Sequence, residues 1–187
     1  KVMHEATPHT TERFLREADV LAKLAHPGVV RYVAHGQAAD ETLFLAMEWL
    51  EGGDLSARLK HGGLTVDEAL RIVGHMADTL VAVHAAGVVH RDLKPANVFL
   101  CEGDVDRVKL LDFGIAKLLT PDHDAAAPAT LHEQRALTPV YAAPEQLAGA
   151  PTTTATDVWG LGALAFELLV HEPPYPHPPP RSGLAAF

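Results

Sequence analysis

Cysteine is nearly absent from this 187-residue chain: Cys101 is the only one. Neither an intrachain disulfide nor a cysteine-built zinc cage is therefore available to it, and a reducing compartment fits. Basic charge is also short. Against 24 Asp and Glu stand 15 Lys and Arg, a formal net charge of −9. Phosphate neutralisation on nucleic acid normally needs a basic face, so no nucleic-acid partner is expected. Long apolar runs are missing too. The most apolar stretch, Val158 to Val170, holds 13 residues and includes Glu167, whereas a bilayer span needs about 20; it reads as a buried helix, and this chain carries no membrane segment. No charged-then-apolar leader opens the chain. It begins on Lys1 rather than Met, which leads us to expect a fragment. The expected location is cytoplasmic, either free or as the cytoplasmic domain of a larger, membrane-anchored protein. What is present is ordinary for a folded domain: 48% hydrophobic and 21% charged residues, which argues against wholesale disorder.

Periodicity orders the chain. Phe14, Leu15, Ala18, Leu21 and Ala22 recur at helical spacing within 11–25, and His26-Pro27-Gly28 stops that helix. Val29 to Val33 and Thr42 to Leu50 have strand character, and Glu51-Gly52-Gly53-Asp54 reads as a turn. Thr65-Val66-Asp67-Glu68 has the form of a capping box. It opens a helix on which Leu70, Val73, Ala77, Leu80 and His84 recur and which Gly87 ends. Val98–Leu100 and Val108–Leu111 are short strand pieces, residues 118–136 lack any period, and a last helix spans about Thr156 to Val170. In Glu172–Arg181 six of ten residues are proline, which no helix continues through. The fold class expected from this order is mixed α+β.

Four motifs then fall in one order. Residues 90–97 read His-Arg-Asp-Leu-Lys-Pro-Ala-Asn; Asp112-Phe113-Gly114 follows; then Ala143-Pro144-Glu145; then Asp157-Val158-Trp159-Gly160-Leu161-Gly162. Each three-residue motif alone is weak, but the ordered set resembles the eukaryotic-type serine/threonine protein kinases, in a bacterial-looking form. The resemblance covers the chain from Lys1 to about Pro176. It implies a two-lobed fold with an incomplete N-lobe, from the lysine strand onward, and a mainly helical, truncated C-lobe. Residues 1–47 would be the N-lobe remnant, 48–53 the hinge and 54–187 the C-lobe up to about the central buried helix.

The resemblance also implies roles. Phosphoryl transfer needs in-line positioning and neutralised phosphate charge, with little covalent work by the protein. Asp92 matches the catalytic base and Lys94 the cation that meets the transferred phosphate. Asn97 and Asp112 match the oxygen ligands of Mg2+, the hard cation that accompanies ATP. Lys1 resembles the strand lysine and Glu17 its partner on the first helix. Glu48 and Leu50 would offer hinge backbone to adenine, Asp54 would accept from the ribose or serve as a turn aspartate, and Phe99 would floor the base. Leu21, Tyr32, His90 and Phe113 match a stacked column between the lobes, and Asp157 matches a buried carboxylate beneath the catalytic loop.

The implied activity is ATP-dependent phosphorylation of serine and threonine in protein substrates, because Lys94 with Thr138-Pro139 departs from the tyrosine-specific pattern. Leu137 stands where the serine/threonine kinases that the chain resembles usually have glycine before this threonine. Arg91 is the residue that would receive an activation-loop phosphate, and Thr130, then Thr120, are the candidate acceptors. The glycine-rich loop that should precede the lysine, and an arginine partner for Glu145, do not occur within these 187 residues. One alternative is an inactive kinase fragment or a pseudokinase-like scaffold. Another is a small-molecule kinase of related fold, against which Ala143-Pro144-Glu145 and the long segment before it argue. Substrate identity and oligomeric state are not legible.

Overall fold

The computed structural model describes residues 2–3, 8–39, 42–113 and 139–174. The α+β expectation holds. Strand β1 (Val2–Met3), helix α1 (Pro8–Ala22), β2 (Tyr32–Gln37) and β3 (Leu43–Met47) form one unit, an antiparallel sheet in the order β1-β3-β2 with α1 packed on β2. Phe14, Ala18 and Leu21 turn the α1 stripe inward, whereas Ala22 is exposed.

The rest is mainly helical. It contains β4 (Gly52–Asp54), α2 (Leu55–Lys60), α3 (Val66–Ala85), β5 (Val98–Cys101), β6 (Val108–Leu110), α4 (Pro144–Leu147) and α5 (Thr154–Val170). The α3 start is as expected from its residues. Thr65 accepts from the Glu68 N–H, and the Glu68 carboxylate takes the Thr65 N–H at 2.7 Å. Those two reciprocal bonds satisfy backbone donors that the first turn leaves open.

Several expectations are corrected. Residues 52–54 are not only a turn: they pair antiparallel with 99–101, Asp54 opposite Phe99. The strand read at Val29–Val33 begins at Tyr32; Val29 and Val30 are instead buried in a link to β6, where Leu110 donates to Gly28 O at 2.7 Å and Val30 donates to Leu110 O. On α3 the buried stripe is Ala69, Ile72, Met76, Leu80 and Val83, with Leu70 exposed. The helix is rotated by about one residue from the reading because Ala69 and Ile72, not Leu70, face the core. Helix α5 is buried on one side only. Gly160, Ala163, Leu164 and Leu168 pack inward, where α3 lies along it, while Val158, Trp159, Phe166, Leu169 and Val170 are exposed. Among the described residues no helix is long and apolar enough to cross a membrane.

The turn His26-Pro27-Gly28 fixes where the two units meet. His26 Nδ1 accepts from the Gly28 N–H at 3.1 Å, and Gly28 lies against the buried Thr79 of α3. A β-carbon on Gly28 would sit 2.0 Å from Thr79 Oγ1, so the constraint is space. Gly28→Ala is therefore expected to lose about 1–3 kcal/mol in denaturant unfolding, the usual range for an overfilled site. Adding Thr79→Ala should recover part of the loss; an unchanged midpoint in Gly28→Ala would contradict this packing.

Candidate active site

The site is assembled on one carboxylate. Asp157 lies in the first turn of α5, at the end of the helix where the macrodipole favours negative charge. Its side chain is fully buried. Oδ2 accepts from the His90 N–H at 2.8 Å and from His84 Nε2 at 2.7 Å, and Oδ1 accepts from the Arg91 N–H at 2.8 Å. A charge removed from water is tolerated only when its acceptor sites are filled, as they are here. At Gly160, one turn on, the α5 backbone comes so close to Leu93 that a β-carbon would lie 3.0 Å from Leu93 Cβ.

Thus held, residues 90–97 arrange their side chains. His90 is completely buried; Nδ1 accepts from the Asp92 N–H at 3.3 Å, so Nε2 carries the proton that it donates to Leu111 O at 2.8 Å. Burial holds its pKa below the ordinary value, with the negative charge of Asp157 opposing in part. Its ring meets Phe113 with centroids 4.7 Å apart. Leu21, Tyr32 and Phe113 are buried with it.

Asp92 and Lys94 form an ion pair at 2.9 Å. Asn97, fixed by the turn at Pro95–Asn97, donates Nδ2 to Asp92 O at 2.7 Å and to Asp92 Oδ2 at 2.9 Å. With its amide hydrogens spent on Asp92, Oδ1 is the atom Asn97 can offer to a cation. Leu111 donates to Asn97 O at 2.9 Å, which brings Asp112 beside the loop. Arg91 (φ 67) and Asp112 (φ 53) both occupy the left-handed region that non-glycine residues rarely adopt. Such backbone conformations concentrate at functional sites. Asp92, Lys94, Asn97 and Asp112 are thereby brought into one place.

The remaining candidates are distributed differently. The side chain of Glu48 accepts from Lys109 Nζ at 2.6 Å and from the Arg31 N–H at 2.9 Å. Burial acts against its charge, but the Lys109 ammonium and the Arg31 N–H outweigh it and hold the carboxyl below its usual range. Its side chain ties the end of β3 to β6, and its N–H donates to Arg31 O at 2.9 Å. Asp54 caps α2, with Oδ1 accepting from Ala57 N–H at 2.7 Å. Phe99 is half-buried opposite Asp54, and Leu50 packs against the core. Glu145 accepts from the Thr156 hydroxyl at 2.5 Å. Lys1, Thr120, Thr130 and the side chain of Glu17 lie outside the described residues.

Two supports escaped the reading of the sequence. His84 was placed on the apolar face of α3, yet it reaches Asp157. Gln146, directly after Ala143-Pro144-Glu145, donates Nε2 to Arg91 O at 2.8 Å. In the sequence Gln146 is signalled only by following a motif, and His84 only by being a polar residue on an apolar stripe.

The chain also matches known proteins. The family described as "Protein kinase domain" matches residues 1–183. The chain is 39% identical, over 99% of its length, to serine/threonine-protein kinase pkn2 of Myxococcus xanthus, of which it covers 22%. It is 45% identical over 87% of its length to serine/threonine-protein kinase PkaA of Streptomyces coelicolor, covering 29% of that protein. To serine/threonine-protein kinase PknJ of Mycobacterium tuberculosis it is 39% identical over 87%, covering 27%. The chain thus spans about a quarter of the length of these relatives.

Two outcomes are expected at this site. Asp157→Asn sets an amide against three N–H donors, so unfolding should become easier by about 1–3 kcal/mol for each buried donor left unpaired; chemical denaturation measures it. His90 has a folded pKa below its ordinary value of 6.5, so on acidification the unfolded chain takes up the proton first. Its contribution is therefore complete above about pH 6.5 and lost as the pH falls below that. The stability difference between wild type and His90→Gln should shrink from pH 7.5 to 5.5; a constant difference would contradict the neutral assignment.

Proposed function

This chain belongs to the protein kinase domain family, and on that premise we propose that it acts as an ATP-dependent protein serine/threonine kinase. The observation that carries the reading is the Asp92 carboxylate gripped by Asn97 and Lys94, with Asp112 brought alongside through the Leu111–Asn97 bond. The hydroxyl oxygen of a serine or threonine bonds to the γ-phosphorus of ATP. The bond from that phosphorus to the bridging oxygen breaks, and ADP departs. Asp92 accepts the hydroxyl proton, and Lys94 offsets charge on the transferred group.

Asp112 and the Asn97 amide oxygen suit Mg2+, a hard cation satisfied by one or two protein oxygens together with phosphates and water. Among the described residues no cluster of three or more His, Cys, Asp and Glu is present. When bound, the ion neutralises phosphate charge. Every other duty falls to the chain. Backbone at Glu48 and Leu50 orients adenine across Phe99, in a hinge at 48–53 between an N-lobe at 1–47 and a helical lobe from 54 onward. Asp54 keeps Oδ2 for the ribose. Lys1 and Glu17, whose side chains lie outside the described residues, are the candidates to place the phosphates.

Protein substrates are the second partner. A groove of about 450 Å3 beside the reacting pair, bordered by Ser56, Lys60, Lys94, Pro95, Tyr141 and Glu167, offers room for an extended peptide. Its wall is fixed by the Tyr141 hydroxyl, which donates to Glu167 at 2.6 Å; burial first and then that carboxylate raise the phenol's pKa and keep the proton in place. Once Thr130, or Thr120, carries a phosphate, the Arg91 guanidinium pairs with that phosphate, which stays on the threonine.

Incubation with magnesium and ATP, followed by intact-mass measurement, tests the reading. Phosphate-sized mass steps are expected in the wild type. They should slow by about 10²–10⁴-fold in Asp92→Asn, the usual worth of a positioned base. Wild type and variant gaining phosphate equally would remove Asp92 from the role, and no gain in either would remove the activity from this chain.

A further inference from the structure

The side chain of Gln146 joins two segments 55 residues apart. Its Oε1 accepts from the Ala143 N–H at 3.1 Å, closing the first turn of α4, and its Nε2 donates to Arg91 O at 2.8 Å. An N–H can only donate and a carbonyl can only accept, so these partners fix the orientation of the amide. A carboxylate could make the first bond and not the second.

Arg91 O belongs to the peptide group that leads into Asp92. Arg91 sits at φ 67, a conformation from which a non-glycine residue gains by relaxing. The peptide before Arg91 is held by Asp157 through the Arg91 N–H. The peptide after it is held by Gln146 at its oxygen, while its N–H reaches His90 Nδ1 at a long 3.3 Å. The plane of that second peptide, and hence the direction in which Asp92 leaves the chain, depends on Gln146.

We propose that Gln146 is a positioning residue that ties the seating of α4 to the orientation of Asp92. The catalytic meaning of that link rests on Asp92 being the proton acceptor in phosphoryl transfer; the structural link does not.

Three variants of the full chain separate this from packing. Gln146→Glu keeps the size and the bond to Ala143 but opposes an oxygen to Arg91 O. Gln146→Ala removes both bonds and enlarges the cavity of about 10 Å3 that Gln146 borders with Arg91, Asp92 and Asp157, letting water reach the carbonyl. Gln146→Met fills the space without either bond. Amide hydrogen exchange without nucleotide should run about tenfold faster at residues 91–93 in Gln146→Glu, and by less in Gln146→Ala, with α3 unchanged. A packing role gives the opposite order.

If Gln146→Glu does not fold, Gln146→Met takes its place and should also loosen 91–93. Wild-type protection in Gln146→Glu or Gln146→Met, or greater loosening in Gln146→Ala than in Gln146→Glu, overturns the proposal. For phosphate transfer, kcat should fall about tenfold in Gln146→Glu with KM for ATP unchanged; a rise in KM with kcat intact overturns the link to Asp92. Faster exchange as expected, with no phosphate transfer by the wild type, supports the positioning link and rejects the activity.

Discussion

One buried carboxylate organises this molecule. Asp157 is fully shielded from water at the start of α5, and three N–H groups from two other segments converge on it. Losing a partner of such a charge costs roughly 3–5 kcal/mol, comparable with the lower end of a whole domain's stability. The path of residues 90–91 is therefore not separable from folding itself. Where α5 goes, the loop carrying Asp92 follows, and the close contact of Gly160 with Leu93 leaves little play between them.

From that anchor the reacting groups follow by short steps. Asn97 binds the backbone and side chain of Asp92, Leu111 binds the backbone of Asn97, and His90 binds Leu111 from inside the core. Each step uses a donor or acceptor that would otherwise be buried without a partner, so the network gains little from any looser arrangement. The left-handed backbones of Arg91 and Asp112 sit at the two ends of this chain of bonds. Surrounding contacts over-determine them, which is how strained residues persist where chemistry needs them.

Local chemistry was readable in the residues and long-range chemistry was not. The Thr65–Glu68 box is complete within four residues, so it could be read directly. Gly52-Gly53-Asp54 has turn composition and becomes a strand only because 99–101 lies beside it. The one-residue error on α3 arose because Leu70 and Ala69 both fit an apolar stripe, and only the partners of α3 decide between them. At the site, the ordered motifs located Asp92, Lys94, Asn97 and Asp112. The long-range contacts around them, made by His84, Gln146 and the Glu48–Lys109 pair, span 55 or more residues, and no periodicity reports such contacts. Glu48 illustrates the limit: nothing local to it reports that its carboxylate is committed to Lys109.

The proposed division of labour between Asp92 and Asp112 is tested most directly by binding of Mn2+–ATP, measured by water-proton relaxation enhancement. Under the proposed roles, Asp92 toward the hydroxyl and Asp112 toward the cation, enhancement is expected in the wild type, retained in Asp92→Asn and lost in Asp112→Asn. Enhancement that survives in Asp112→Asn, or that vanishes in Asp92→Asn alone, would contradict it.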